Sequence, residues 1–347
     1  MIRLTWLQSR TQTIVAASGL AIAAAILAAT GPHLVHLYDD IVRGCTVHHD
    51  CAVAKDVFLR HDSTLRGWLD VLVVAVPGLV GVFWGAPLVA RELESGTHRL
   101  VWTQSVSRAR WLAVKLGVVG LASIATAGLL SLAVSWWASP LDRAHMARYT
   151  TFDMRDVVPI GYAAFAFALA VTAGLLIRRT IPAMASALVA FTATRVAVLH
   201  WVRPHLASLT HAVLPLATAH RVGFLKTPSG ATFVASDLSL NNALIVSSGI
   251  ADKAGHPASA QTLHQVVQTA CPAVMARVSH PIGSQGPTDP RMFGECVQRI
   301  STKLDIAVTY QPDSHYWQLQ WAESAIFIAA ALALVAFCLW WVRRRHV

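Results

Sequence analysis

Six apolar runs, 14–34, 68–90, 111–138, 157–177, 181–202 and 321–342, punctuate this 347-residue chain. Each approaches the ~20 residues with which a helix crosses a hydrocarbon core. They predict an all-α integral membrane protein of six transmembrane helices, with a sizeable extracytoplasmic segment between helices five and six. Composition agrees: 55% of the residues are apolar and only 13% charged, outside the range of an ordinary soluble domain.

Twenty-eight Lys and Arg against 18 Asp and Glu give a net charge of +10. In a soluble chain that excess would suggest nucleic acid. Here the cations gather at Arg3 and Arg10, at 91–115, at Arg178-Arg179 and at Arg343-Arg344-Arg345, each cluster abutting an apolar run. No face collects enough of them to follow a phosphate backbone, so topology accounts for the charge and nucleic acid is excluded as a partner. Cytoplasmic loops carry the excess arginine. Both termini, the 91–110 loop and the Arg178-Arg179 turn are therefore expected inside a bacterial plasma membrane, and 38–66, 139–156 and 203–320 outside. The first span is expected to be retained, with the Ala-rich stretch 21–29 leaving a removable signal peptide as the alternative.

Cysteine placement fits that orientation. Cys45, Cys51, Cys271 and Cys296 fall in outside segments, where oxidation is permitted, and Cys338 lies within a span. Four cysteines allow three connectivities; the local pairs Cys45–Cys51 and Cys271–Cys296 are preferred. The first pair encloses His48 and His49, but the spacing matches no common structural zinc pattern, so a disulfide-closed loop is expected rather than a metal site.

Within 203–320 only short apolar runs occur at first (231–235, 243–246). Helical spacing follows over 261–274, through Leu263, Val266, Val267 and Ala270 with Pro272 near the end, and over 293–304, through Val297, Ile300 and Leu304. A Cys271–Cys296 bridge would staple these two helices. No catalytic constellation stands out, and the chain is expected to be non-catalytic.

The richest chemistry lies in the polar island between the second and third spans. As a helix over 92–104 it sorts into a smooth side (Leu93, Gly96, Thr97, Leu100, Gln104) and a polar side (Glu94, Ser95, His98, Arg99, Trp102). Glu94 and His98, four apart, can pair. The smooth side would rest on the span ends. The polar side would either be solvated or be offered to a partner, with Trp102 as an aromatic anchor.

The run Arg91-Glu92-Leu93-Glu94-Ser95-Gly96-Thr97, with Thr103-Gln104-Ser105-Val106-Ser107-Arg108, resembles the first cytoplasmic loop of ABC-2 type transporter permeases. Leu4-Thr5-Trp6-Leu7-Gln8-Ser9-Arg10 is similar to the amphipathic lead-in of actinobacterial members, here 1–13. Phe152-Asp153-Met154-Arg155-Asp156-Val157-Val158-Pro159, Arg178-Arg179-Thr180-Ile181-Pro182-Ala183-Met184 and Tyr310-Gln311-Pro312 resemble their later segments. Ser105 departs from the family, where many relatives carry proline. The resemblance implies the membrane subunit of an ATP-driven exporter, paired with a second copy or a close relative and with two copies of a separate ABC ATPase. The chain has no phosphate-loop motif, so ATP and Mg would be bound by that partner and no cofactor by this chain. It further implies that Glu92, Glu94, Gly96, Thr97, His98, Arg99, Trp102 and Arg108 couple the ATPase stroke to the spans.

A charge inside a span is a functional candidate because its burial is costly. Arg195 stands about fourteen residues into the fifth span, where it can line a pathway, pair with Glu323 or Asp70, or reach headgroups. Lys115 is expected to snorkel to the interface. The expected cargo is a hydrophobic or amphiphilic compound such as a drug, antibiotic, lipid or peptide. The alternative is a membrane-embedded sensor or scaffold that moves no substrate.

Overall fold

The computed structural model describes residues 2–41, 63–95, 107–143, 148–227, 230–238, 240, 243–272 and 290–344. Along the chain run α1 (Ile2–Ile41), α2 (Ser63–Glu94), α3 (Arg108–Trp137), the short α4 (Ser139–Arg143), α5 (Val158–Ile177) and α6 (Thr180–Ala197). Then come β1 (Thr210–Pro215), β2 (Ala219–Thr227), β3 (Gly230–Leu238), β4 (Leu244–Asp252), α7 (Ala260–Ala270), α8 (Pro290–Ser301), β5 (Leu304–Gln311) and α9 (Tyr316–Arg344). They form two compact units, one of Met1–Ala207 with His315–Val347, the other of Ser208–Ser314.

The first unit is a helical bundle. Among the described residues five stretches are long and apolar enough to cross a membrane: Ala17–Asp40, Arg108–Trp137, Val158–Ile177, Thr180–His205 and Asp313–Arg344. The chain is a mostly helical, multi-pass membrane protein. Its centre is α5, whose apolar window is 67% buried, against 17–22% for α1, α6 and α9. Those outer helices turn large apolar side chains outward, among them Val15, Ile181, Val189 and Leu332. Hydrocarbon is the solvent that suits such faces.

Between lipid-exposed helices burial of apolar surface drives little, so close backbone approach must hold them. The α2–α5 crossing achieves this with glycine. A Cβ on Gly81 would lie 2.6 Å from Ala166 Cβ, one on Gly85 2.6 Å from the Phe167 carbonyl oxygen, and one on Gly174 2.8 Å from that of Ala86. Around them Val82, Ala86, Ala170, Ala183 and Ala187 form a layer of small side chains.

The second unit carries strands. An antiparallel sheet of order β1-β5-β4 and a β2–β3 hairpin pack with α7 and α8 around Phe233, Val267, Ile300, Leu304, Ile306 and Val308. The Cys271–Cys296 bridge joins the end of α7 to α8 across a Cα separation of 5.2 Å. The all-α expectation therefore describes the bundle and needs amending for this unit. Helical spacing over 293–304 runs through Leu304, yet α8 stops at Ser301. Leu304 instead opens β5, where Leu304, Ile306 and Val308 alternate inward at the period of a strand. Cys45 and Cys51 lie outside the described residues.

Candidate functional site

Two polar assemblies occupy opposite ends of the bundle. At the end from which the island leaves, Glu92 and Glu94 form the last turn of α2. Two residues along a helix turn through roughly 200°, so the two carboxylates point in opposite directions. Glu92 pairs with Lys115 of α3. Lys115 also donates to the Leu88 carbonyl at 3.4 Å and lies over the Trp111 ring, with only 3% of its surface exposed. It turns inward to a carboxylate and does not snorkel, because the bundle supplies a partner that headgroups would otherwise have to replace.

Glu94 reaches the start of α6. Its Oε2 accepts hydrogen bonds from the Thr180 backbone N–H at 3.1 Å and the Thr180 hydroxyl at 2.9 Å. These bonds, together with the nearby Arg179 guanidinium, hold the carboxyl below its ordinary range. Glu94 is exposed, as its polar-side assignment requires, and its carboxylate is at the same time engaged by Thr180 within the chain. Leu93 packs against the core layer of Trp84, Trp111 and Leu112, as its smooth-side assignment requires. Arg108 begins α3, just after Ser107, whose Oγ caps the helix by accepting from the Arg110 N–H. A cavity of about 650 Å³ opens beside this end, lined by Val15, Phe83, Trp84, Pro87, Arg91, Glu94 and Thr180. Gly96, Thr97, His98, Arg99 and Trp102 lie outside the described residues, and with them the 96–106 portion of the island helix.

The other end holds a buried charge network. After α6 the backbone widens into a π turn, Val198–Val202, and a 3₁₀ turn begins at Arg203. Eight residues of regular α-helix would leave Arg203 about 80° out of phase with Arg195. The i→i+5 closure of a π turn unwinds that offset, and both guanidiniums reach Asp153. Arg203 is ion-paired to Asp153 and grips Glu323 through Nε (2.8 Å) and an NH2 group (2.9 Å). Arg195 lies 3.4 Å from Asp153 and 4.8 Å from the centre of the Tyr162 ring. The Tyr162 hydroxyl stands 2.6 Å from Glu323 and 3.0 Å from Asp153, able to donate to either. Burial pushes the Asp153 carboxyl up, but Arg203 and then Arg195 outweigh it and hold it below the usual range.

Glu323, 1% exposed, therefore takes Arg203 as its partner and Arg195 takes Asp153. The expected Arg195–Glu323 pair is replaced because the π turn brings a second arginine closer to Glu323. Two positive and two negative side chains make the core of this network neutral, which is what permits its burial.

A second layer surrounds it. Arg155 makes a bidentate pair with Asp142 at 2.8 and 2.9 Å and donates to the Tyr316 hydroxyl, which in turn donates to Asp156. Gln320 is fully buried. Its carbonyl oxygen accepts from the Val157 and Val158 N–H groups, while its amide donates to the Phe152 carbonyl and to Tyr316. It thereby caps α5, whose own N-cap residue, Val157, offers no side-chain bond. Sequence reasoning passed over Asp153, Tyr162, Arg203 and Gln320. Asp153 stands in a quoted family-like motif, while Arg203 falls one residue beyond an apolar run and so was counted with the segment that follows.

The model of the family described as ABC-2 membrane transporter related matches residues 17–203. This chain belongs to that family. No curated protein and no solved structure gives a significant match to the chain. The ABC-2 match spans α1 to α6 and ends at Arg203, so it takes in both carboxylates at the island root and all of the charge network except the α9 residues. The chain is a permease-type transport subunit, of a family that normally works in a membrane with an ATPase partner.

Proposed function

We propose that this permease is the membrane subunit of an ATP-driven exporter of hydrophobic or amphiphilic compounds. The observation that carries the reading is the anchored root of the island. A loop of about a dozen residues leaves α2 between two carboxylates that are tied to α3 and to α6, so force applied to the loop enters two helices at once. A passive turn needs no such bracing. Charge placement supports a cytoplasmic island, both termini inside and a bacterial plasma membrane, with α2 as the sixth span through its 68–90 run. ATP and Mg belong to two copies of a separate ATPase. This chain binds no cofactor, catalyses nothing and pairs with a copy of itself or a close relative. The cavity beside Phe83 and Trp84, mostly apolar with Arg91 and Glu94 at its edge, suits an amphiphile better than a hydrated solute.

Inverted vesicles holding the chain and its ATPase decide this. ATP-dependent accumulation of fluorescent amphiphiles is expected. Steady ATP hydrolysis with no accumulation across a broad panel would favour the second reading, a membrane-embedded sensor, for which the separately folded, disulfide-stapled Ser208–Ser314 unit would be the receiving part.

A further inference from the structure

The C-terminal half of α2 carries Phe83, Trp84, Pro87, Arg91 and Glu94. At the helical pitch these five side chains fall within an arc of about 100°. They make one stripe, apolar within the span and charged where α2 ends. The stripe is one wall of the cavity of about 650 Å³ described above, whose other walls are Val15 of α1 and Thr180 of α6. A cavity of that size takes an organic molecule rather than an ion alone. Phe83 lies eight residues before Arg91, so about 12 Å of apolar wall stands below the charges.

The two charges at the rim are not spent on each other. A Glu and an Arg three apart on a helix can pair, but Glu94 is turned onto the start of α6, where its Oε2 accepts both Thr180 donors. Those bonds hold its carboxyl below the ordinary range, and hence ionised, while none of the described residues takes Oε1. Among the described residues no ion pair or side-chain hydrogen bond engages the Arg91 guanidinium, which is always charged. Both residues are exposed. The complement of such a rim is one negative and one positive group, side by side at the end of an apolar body.

We propose that this cavity binds a zwitterionic amphiphile, with its phosphate or carboxylate on Arg91, its ammonium on Glu94 Oε1 and its tail along Phe83, Trp84 and Pro87. The proposal rests on the exporter reading above and gives the cargo its head group. Neither a purely anionic nor a purely cationic amphiphile satisfies both ends of the rim. A small hydrated zwitterion satisfies the rim but leaves the apolar wall wet.

The test uses the full permease–ATPase complex in a neutral maltoside detergent and three probes that share one fluorescent tail. Lysophosphatidylethanolamine carries both charges, lysophosphatidylglycerol the phosphate alone and an alkylamine the ammonium alone. Fluorescence anisotropy reads binding. The zwitterion should bind about tenfold tighter than either single-charge probe, the factor that one charge-assisted hydrogen bond carries. Arg91→Gln should weaken both phosphate probes about tenfold and spare the alkylamine. Glu94→Gln, which can still accept from Thr180, should weaken the zwitterion and the alkylamine and spare lysophosphatidylglycerol. Losses that ignore the probe's charge would overturn the proposal, since a damaged fold gives that pattern, and so would unchanged affinities in both variants. Displacement of the zwitterion by free phosphoethanolamine would remove the role of the apolar wall and overturn it as well. In inverted vesicles, ATP should drive accumulation of the zwitterion, and less of it with Arg91→Gln. Charge-selective binding without accumulation, while other amphiphiles accumulate, would make this a resident-lipid site and overturn its cargo role. Accumulation of no amphiphile at all sinks the exporter reading and leaves the binding site standing.

Discussion

Gly85 gives the sharpest test of how the bundle is held. A methyl group there would stand 2.6 Å from the Phe167 carbonyl oxygen and 2.9 Å from Ala170 Cβ. Ordinary contact begins near 3.4 Å, so α2 and α5 must separate by about 0.8 Å along a crossing that also contains Gly81 and Gly174. Neither obstacle can rotate away, since one is backbone and the other is a Cβ. Forced overpacking of this kind costs ~1–3 kcal/mol. Replacing glycine by alanine in a helix returns up to ~1 kcal/mol of propensity, which would blur a single measurement. Gly117→Ala removes that ambiguity. Nothing lies within 4 Å of a Cβ there, so it collects the propensity gain alone. The difference between the two variants then isolates the crossing. It corresponds to a Tm gap of roughly 2–12 °C at ~2–4 °C per kcal/mol. Thermal unfolding of the purified protein in detergent, followed by circular dichroism, measures it. Equal shifts in the two variants would refute the glycine-packed crossing.

Other parts of the structure are as open to measurement. Arg203→Met leaves Glu323 buried without its guanidinium and is expected to cost ~3–5 kcal/mol. The Arg203→Met/Glu323→Leu double should recover most of that loss, and strictly additive melting shifts would rule out the pair. Asp153 has a lowered pKa in the fold, so the stability it contributes is fully present above the unfolded value near 3.9 and is lost as pH falls through the folded value. Asp153→Asn should flatten the acid limb of the Tm–pH curve below about pH 4 and leave its slope above pH 6 unchanged; an unaltered acid limb would contradict the lowered value. Reducing Cys271–Cys296, which closes a loop of 25 residues, should destabilise the 208–314 unit by ~3 kcal/mol. Limited proteolysis of the intact protein with and without reductant reads this as faster cleavage in that unit, with the bundle unaffected; equal cleavage rates would mean the bridge stabilises nothing.

The bundle was legible because a hydrocarbon core imposes one simple length on every crossing helix, and five of the six apolar runs fall in the stretches that, among the described residues, are long and apolar enough to cross it. The preferred Cys271–Cys296 pair was equally readable, and so were the two helices it joins, read as 261–274 and 293–304 and found at 260–270 and 290–301, since local spacing carries them. The strands were not. Short runs such as 231–235 show neither helical spacing nor clean alternation, and β1, β4 and β5 come together only across dozens of intervening residues. The site failed for a related reason. Pairing Arg195 with Glu323 assumed regular helix throughout 181–202, and the π turn that promotes Arg203 has no signature in residue type. Glu94 was assigned to the exposed side of a helix running from 92 to 104; it is exposed, but it closes α2, and its bond to a helix start 86 residues away had no local signal.

The Gln320 cap on α5 has a consequence in time. Its two acceptor bonds complete a helix whose first residues were made more than 160 residues earlier in the chain. At ~5–20 residues per second of synthesis, α5 waits roughly ten to thirty seconds for them. Until α9 arrives, the most buried helix of the bundle keeps unsatisfied donors at its end, and Arg203 lacks Glu323. The last span therefore completes the bundle: a chain stopped short of it leaves the start of α5 without its Gln320 acceptor and the two arginines with Asp153 as their one remaining carboxylate in the network.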